Sequence, residues 1–291
     1  MLRPNTDPPT FKRGSLVPVA SYLLIITVLS GLITISSGHS PPPVLGIGWG
    51  IFLVCLTVGL FLSEGAALSS LLPNLRTTIA AVGCVLGYWV LYNLVAFSLA
   101  LGGVTGFETT QSRAASHLLP YTAAFASSLL FTAIPEEMFF RSYLQQKFID
   151  LSGGGTRRAI AIGVGAVTIL FALFHLPNWF LGSGHGIGPA LVSRLLGLAV
   201  IGLAYGLVYA LTGNLWLVAL FHATMNQPPF MIAVEIPAGL HLVAGVVESA
   251  TMVLLVYLVV RVVDSESVSP IWSQQAEPAV SDRKETGGDY R

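Results

Sequence analysis

Long stretches without a charged residue constrain this chain more than any other feature of its sequence. Five segments contain no Asp, Glu, Lys or Arg: residues 14–63, 77–107, 114–135, 159–193 and 195–234. A membrane-spanning helix needs about 20 apolar residues, so each segment has room for one or two crossings. Every backbone polar group in hydrocarbon needs an internal partner, and continuous apolar runs favour helices over the alternating strands of a β-barrel. The sequence therefore predicts an all-α, polytopic membrane helix bundle.

The composition agrees with this prediction and argues against a soluble domain, a nucleic-acid-binding protein and a disulfide-rich protein. Only 10% of the 291 residues are charged, 54% are hydrophobic, and the mean hydropathy is +0.75. A soluble domain carries about a quarter charged residues. The formal net charge is zero, so no nucleic-acid partner is expected. Cys55 and Cys84 lie in apolar runs without paired spacing, which indicates neither a disulfide framework nor a thiolate metal site.

The apolar runs predict about eight transmembrane helices. Their expected ranges are Leu16–Ser37, Val44–Leu62, Thr77–Leu101, Pro120–Leu144, Ala159–His175, Leu191–Thr212, Leu215–Asn226 and Leu242–Val262. The seventh follows a Gly213-Asn214 turn and is too short for a full crossing, so we expect a short or partly inserted helix. Gly202 and Gly206 in the sixth have the Gly-x-x-x-Gly spacing that lets membrane helices approach closely.

The chain is divided into four parts on this basis. Residues 1–14 form a polar N-terminus, 15–112 the first transmembrane helices, 113–263 a second group of helices, and 264–291 a polar tail that we expect to be disordered.

The distribution of Lys and Arg predicts the orientation of an integral protein in the cell membrane. With a cytoplasmic N-terminus and eight crossings, eleven of the 14 basic residues fall on the cytoplasmic side. Arg113 and Arg194 fall on the other side, and Arg141 lies within a span. Both termini, including the tail, are therefore expected to be cytoplasmic.

Ionisable groups inside spans are costly, so they pair, line a water-filled cavity or serve a function. In this chain they form three clusters, each beside a proline: Pro135 with Glu136, Glu137 and Arg141; His175 with Pro177; and His222 with Asn226 and Pro228. Proline bends or ends a helix, which is tolerated where the backbone lines a polar cavity. The three clusters are therefore the candidate functional site.

Helical spacing gives these residues a predicted geometry. Glu137 and Arg141 are four apart with the acid first, the favourable order for an ion pair. Glu136 lies about 100° further round the helix and can point elsewhere. His222 and Asn226 are also four apart and can present two polar groups to one point.

The residue types suit the hydrolysis of a carbonyl compound without a covalent enzyme intermediate. A carboxylate in an apolar surrounding can act as general base toward water. An imidazole can orient that water, and a second His with an Asn amide can donate hydrogen bonds to an oxyanion. Neither a Gly-x-Ser-x-Gly nor a His-Glu-x-x-His motif occurs. Two histidines and a glutamate could still bind zinc, so the metal content stays open.

The order Glu-Glu-x-x-x-Arg, Phe-x-x-x-His and His-x-x-x-Asn resembles the CPBP family of intramembrane proteases. That family includes type II CAAX prenyl endopeptidases and bacterial proteins linked to bacteriocin immunity and lysostaphin resistance. The resemblance covers about Pro120–Asn226 and implies that 113–263 is a catalytic transmembrane core.

The resemblance also implies a role for each motif residue. The implied roles are water activation for Glu136 and His175, an oxyanion site for His222 with Asn226, and a supporting pair for Glu137 and Arg141. It further implies an endopeptidase that acts on hydrophobic or lipidated, CAAX-like peptides in the lipid bilayer. No cofactor is required in this mechanism, with zinc as the less favoured alternative.

Other interpretations of the same residues stay open. Glu137 with Arg141 can be purely structural, His175 can be a packing residue, and His222 with Asn226 can join helices. Carboxylates and histidines also form proton relays, which would suit a proton-coupled transporter. A catalytically idle, immunity-type membrane protein is a third hypothesis. Glu248, in the last span, matches no motif.

Overall fold

The computed structural model describes residues 2–3, 9–12, 14–36 and 43–263. Within these ranges, seven helices are long and apolar enough to cross a membrane. The predicted all-α, polytopic bundle is confirmed. The predicted tail 264–291 and parts of the segment 1–14 lie outside the described residues.

The helices follow the predicted spans closely. Their bounds are α1 Leu16–Ser36, α2 Pro43–Glu64, α3 Leu75–Leu101, α4 Leu118–Leu151, α5 Arg157–Phe174, α6 Pro189–Thr212, α7 Leu215–Asn226 and α8 His241–Val263. One-turn pieces occur at Leu68–Leu71, Arg113–Ser116 and Ala238–Leu240. The predicted eight helices correspond to the seven long helices and the short α7, which has 12 residues.

Helix α4 alternates between two kinds of helical winding. Its segments are α-helical Leu118–Ser128, π-helical Leu129–Ala133, α-helical Ile134–Glu137, π-helical Met138–Gln145 and α-helical Gln146–Leu151. A further π-helical turn, Asn178–Gly182, follows α5. Wide π turns inside α-helices are rare and are frequent at functional sites.

Polar caps fix the ends of the helices that surround the centre of the bundle. The Asn74 side chain accepts hydrogen bonds from the first backbone N–H groups of α3, and Thr156 does the same for α5. The predicted turn between α6 and α7 is present: Gly213 has a φ of 63°, and the Asn214 side chain accepts from the N–H of Leu217.

Helix α6 lies at the centre of the packing and contacts both α5 and α8. A Cβ atom on Gly202 would lie 3.0 Å from Cδ1 of Phe171, and one on Gly206 would lie 3.0 Å from Cγ1 of Val164. The predicted role of these glycines in close helix packing is therefore confirmed.

The outer faces of the helices carry large apolar side chains. Leu94, Ile169 and Leu254 are 60%, 60% and 56% exposed, each on a different long helix. An apolar outer surface of this extent suits contact with lipid chains rather than water. The chain is an integral membrane protein.

Two short strands were not predicted from the sequence. Strand β1, Phe107–Gln111, pairs antiparallel with β2, Ile232–Val234, with Phe107 opposite Val234. The Asn93 side chain donates to the carbonyl of Pro229 at 3.1 Å and accepts from the N–H of Met231 at 2.7 Å. The connection between α7 and α8 is therefore fixed to α3.

The described N-terminal residues lie over the opposite end of the bundle. The Asn214 side chain donates to the carbonyl of Leu2 at 3.0 Å, and the N–H of Lys12 donates to the carbonyl of Glu64 at 3.3 Å. Buried Lys147 pairs with the Glu64 carboxylate. Lys12 and Lys147, both expected on the cytoplasmic side, thus share one end of the bundle, while the direction of insertion stays a prediction.

Candidate active site

The two neighbouring carboxylates of α4 are buried inside the bundle. Glu136 is 6% exposed and Glu137 is fully buried. They occupy the single α-helical turn Ile134–Glu137, which lies between the two π-helical segments of α4. This turn is the part of the membrane helix that carries the predicted acidic pair.

Glu137 joins α4 to α7. Its Oε2 accepts a 2.9 Å hydrogen bond from Nε of Arg141, as the four-residue spacing predicts. Its Oε1 accepts a 2.7 Å hydrogen bond from Nδ1 of His222. Both oxygens of Glu137 therefore accept a hydrogen bond. The bond from Arg141 was predicted from the spacing, and the bond from His222 was not. A carboxylate fixed to an imidazole N–H sets the orientation and tautomer of the ring.

His222 lies between the two carboxylates. Its Nε2 is 3.9 Å from Oε2 of Glu136, on the side of the ring opposite Glu137. Its ring also stacks on Tyr205 of α6, with centroids 5.3 Å apart and planes 26° apart. Glu136 was predicted to point away from Glu137. In the structure, the two carboxylates approach different nitrogens of the same imidazole.

His175 is the residue that directly follows α5. Its Nδ1 donates to the carbonyl of Phe171 at 2.8 Å, so in a neutral ring Nε2 carries the lone pair and can only accept. The Phe171 ring makes edge contacts with both imidazoles, with centroids 5.0 Å from His175 and 6.1 Å from His222. The structure therefore brings the second and third predicted clusters to one aromatic ring.

Asn226 is placed differently from the other predicted residues. It is the last residue of α7 and is exposed, and its Nδ2 donates to Oγ of Ser128 at 3.4 Å. The side chain of His222, one turn earlier, is buried and bound to Glu137. The hydrogen bonds of these two residues thus lead to separate partners in α4.

Three residues around the site were not assigned to it from the sequence. Gln145 accepts from Nη1 of Arg141 at 3.5 Å and donates to the carbonyl of Gly206 at 3.0 Å, while Tyr205 and Phe171 contact the histidines. Gln145 repeats the four-residue spacing from Glu137 through Arg141, and that repeat was the available signal. Phe171 is the first residue of the Phe-x-x-x-His motif, and that spacing was its signal. The contact of Tyr205 depends on how the helices pack and leaves no sequence signature.

No group of three or more His, Cys, Asp or Glu side chains among the described residues is arranged to hold a metal ion. His222 already gives Nδ1 to Glu137, and His175 gives Nδ1 to a carbonyl. Each imidazole retains Nε2 as its remaining ligand atom.

Residues 118–227 match the family model described as type II CAAX prenyl endopeptidase Rce1-like. This segment is a CPBP-family domain. It extends from the first residue of α4 to the residue after α7 and includes all six predicted site residues. The resemblance stated from the motifs is confirmed, and it connects the chain to a CAAX-type family of membrane proteases. Helices α1 to α3 and α8 lie outside the matched CPBP segment.

Comparison with curated proteins gave no match, and neither did comparison with solved structures.

Proposed function

We propose that this chain is an intramembrane endopeptidase that hydrolyses peptide bonds of membrane-associated substrates. The observation that carries the proposal is the placement of His222 between two buried carboxylates inside the CPBP segment. Ionisable groups at such depth are costly, and their burial together favours a functional role over packing alone.

Glu136 is the general base in this proposal. Glu137 has an oxygen bound to Arg141 and the other bound to His222. Glu136 accepts no hydrogen bond within the described ranges, because the 3.9 Å to Nε2 of His222 is too long for one. Its carboxylate is therefore available to remove a proton from water and to pass it to the departing amine nitrogen, while Glu137 positions the histidine.

His175 orients the attacking water. Its Nδ1 hydrogen bond to Phe171 fixes the ring and leaves Nε2 to accept a hydrogen bond from that water. The contacts of both imidazoles with Phe171 support a shared location for water activation and for the carbonyl under attack.

His222 and Asn226 supply the oxyanion site. A protonated His222 retains its Nδ1 bond to Glu137 and presents a second N–H at Nε2. Donors already in position stabilise the negative charge that develops on the carbonyl oxygen. Asn226 contributes by turning its amide from Ser128 toward the substrate.

The substrate class follows from the location of the site. A peptide bond reaches buried residues of α4 and α7 when the peptide is hydrophobic or lipidated and associated with the bilayer. CAAX-like C-terminal peptides meet this description, and the CPBP family supports them.

The test is a comparison of peptides in membranes that contain the wild-type protein or Glu136→Gln. Mass spectrometry of new peptide termini should show cleavage products in the wild type that fall by about 100-fold or more in the variant, as for loss of a general base. His175→Ala should have the same direction of effect. Glu108→Gln, which changes an exposed carboxylate of β1, is the matched control.

Three outcomes would contradict this proposal. Cleavage that is unchanged in both Glu136→Gln and His175→Ala would remove the mechanism. Proteoliposome uptake that needs Glu136 without any cleavage would favour the proton-coupled transporter, and protection of cells by both variants would favour an immunity-type protein.

A further inference from the structure

A half-open cavity lies apart from the site, between α3, α8 and the start of β1. Its volume is about 260 Å³. The lining is almost entirely apolar and includes Leu91, Leu99, Phe107 and Val247. All of its lining residues lie before residue 118 or after residue 227, so the CPBP segment contributes none of them.

Glu248 is the one charged residue among those lining this cavity. Its Oε1 accepts a 3.1 Å hydrogen bond from the Tyr92 hydroxyl. The Tyr88 hydroxyl donates to the backbone carbonyl of Glu248 at 3.4 Å and not to the carboxylate. No Lys, Arg or His pairs with Glu248 within the described part of the chain.

The cavity therefore combines an apolar lining with one acidic group that has no cationic partner among the described residues. A carboxylate in a membrane helix is costly without a cation, and a single tyrosine hydroxyl donates only one hydrogen bond. An apolar wall that surrounds one acidic group complements a molecule with a hydrocarbon body and one positively charged end.

The active site and this cavity are neighbours, but none of the predicted site residues lines the cavity. Tyr88 lines the cavity, and its ring makes an edge contact with Phe221 of α7 at 5.5 Å. Phe221 precedes His222 in sequence, and the side chain of His222 is bound to Glu137 instead. A ligand in the cavity would thus contact residues that the hydrolytic mechanism does not use.

We propose that this cavity binds a single-chain primary alkylamine, with the chain among the apolar residues and the ammonium group at Glu248. The cavity volume of about 260 Å³ is close to the lower end of the range for small-molecule sites, about 300–1,000 Å³, which suits one short alkyl chain. The proposal is independent of the endopeptidase function.

The amine is favoured over ligands of the same length for an electrostatic reason. An ammonium group neutralises the carboxylate and donates several hydrogen bonds to it. An alcohol can donate one hydrogen bond but leaves the charge uncompensated. A fatty acid would place two carboxyl groups together, which is unfavourable when both are ionised.

The test is equilibrium binding of radiolabelled decylamine to the full chain in phosphatidylcholine nanodiscs, with decanol and decanoate as chain-matched probes. We expect saturable decylamine binding at least about tenfold tighter than that of decanol, because the ammonium–carboxylate pair is charge-assisted. Glu248→Gln should reduce decylamine binding to the level of decanol and leave decanol binding unchanged. Tyr92→Phe should preserve the preference for the amine, since the carboxylate remains.

A further variant changes the cavity without touching the acid. Ala244→Phe places a ring in the lining and should weaken decylamine and decanol together. Unfolding temperatures of all variants identify any that do not fold, and the remaining ones decide the result.

Three results would overturn the proposal. They are equal binding of the three probes, decylamine binding that survives either Glu248→Gln or Ala244→Phe in a folded variant, and displacement of decylamine by phosphatidylethanolamine, which would assign the cavity to a lipid headgroup.

Discussion

Oε1 of Glu137 accepts a 2.7 Å hydrogen bond from Nδ1 of His222, although the two residues are 85 positions apart in the sequence. This bond makes Glu137 the link between the arginine of its own helix and the histidine of α7. In the proposed mechanism the two adjacent glutamates therefore have different tasks: Glu137 positions a histidine, and Glu136 keeps its carboxylate available for chemistry.

The buried Glu137–Arg141 pair should be strongly coupled. Arg141→Met leaves the Glu137 carboxylate without its cation in the core, so we expect a loss of about 3–5 kcal/mol in the free energy of unfolding. Glu137→Gln in addition should restore part of it, because the uncompensated charge is gone. Unfolding of the two single variants and the double variant in mild detergent measures the coupling, and strictly additive effects would contradict it.

The Tyr205 ring should matter to turnover more than its hydroxyl does. It stacks on His222 with a centroid distance of 5.3 Å. Such ring contacts contribute about 0.5–1.5 kcal/mol, so Tyr205→Ala should lower kcat by up to about tenfold, whereas Tyr205→Phe should keep it near the wild-type value. The measurement is cleavage kinetics on a substrate found by terminal mapping. Equal losses in both variants would show that the hydroxyl, and not the stacking, is required.

A side chain at Gly206 should crowd the packing between α6, α5 and α4. Its added Cβ would lie 3.0 Å from Cγ1 of Val164, 3.2 Å from Oε1 of Gln145 and 3.4 Å from Nη1 of Arg141. Gly206→Ala should therefore destabilise the fold by about 1–3 kcal/mol through overpacking. Gly197→Ala on the same helix is the control, because nothing lies within 4 Å of its Cβ position. Thermal unfolding that ranks the two variants in the opposite order would refute the packing argument.

Phe11 should hold the N-terminal residues against the bundle. Its ring lies 5.3 Å from Nζ of Lys147 and makes edge contacts at 5.7 Å with both Phe61 and Tyr143. Phe11→Ala should cost about 1–2 kcal/mol in the free energy of unfolding, because the ring is half-buried and full burial of such a side chain contributes about 1.5–3 kcal/mol. Thr10→Ala, at the exposed neighbouring position, should be close to neutral. Protease sensitivity of this segment that is the same in both variants would argue against a role for the ring.

Hydrolysis should persist after metal removal. The proposed mechanism uses a carboxylate base and imidazoles, so treatment with a chelator followed by dialysis should leave the cleavage rate within about twofold of the untreated protein. Elemental analysis of the same sample confirms that metal has been removed. A loss of activity that returns on addition of zinc would support the two-histidine, one-glutamate zinc site instead.

The sequence was sufficient to predict the membrane helices because apolar length is a direct consequence of bilayer thickness. The prediction for α4 ended too early, at Leu144, whereas the helix continues to Leu151. Gln145 and Lys147 looked like residues outside the membrane, yet both are buried and bind Gly206 and Glu64 respectively. Partners on other helices satisfy these polar groups, and a single-helix pattern does not contain that information.

Part of the site was also predictable. The Glu137–Arg141 pair follows from four-residue spacing, whereas the Glu137–His222 bond and the His222–Tyr205 stack depend on tertiary packing. Strands β1 and β2 were missed because β2 has only three residues and its partner lies more than 100 positions away. The chemical roles of the site residues stay predictions until the variants are measured.

The two π-helical segments of α4 help to set the direction in which the side chains after them point around the helix axis. A regular α-helix advances by about 100° per residue, so removal of one residue between 129 and 133 would turn everything downstream by about that angle. Glu136, Glu137 and Arg141 would rotate together toward another face of the bundle, although their mutual spacing would be intact. A length change of a single residue can thus disconnect the whole acidic turn from α7 without altering any of its side chains.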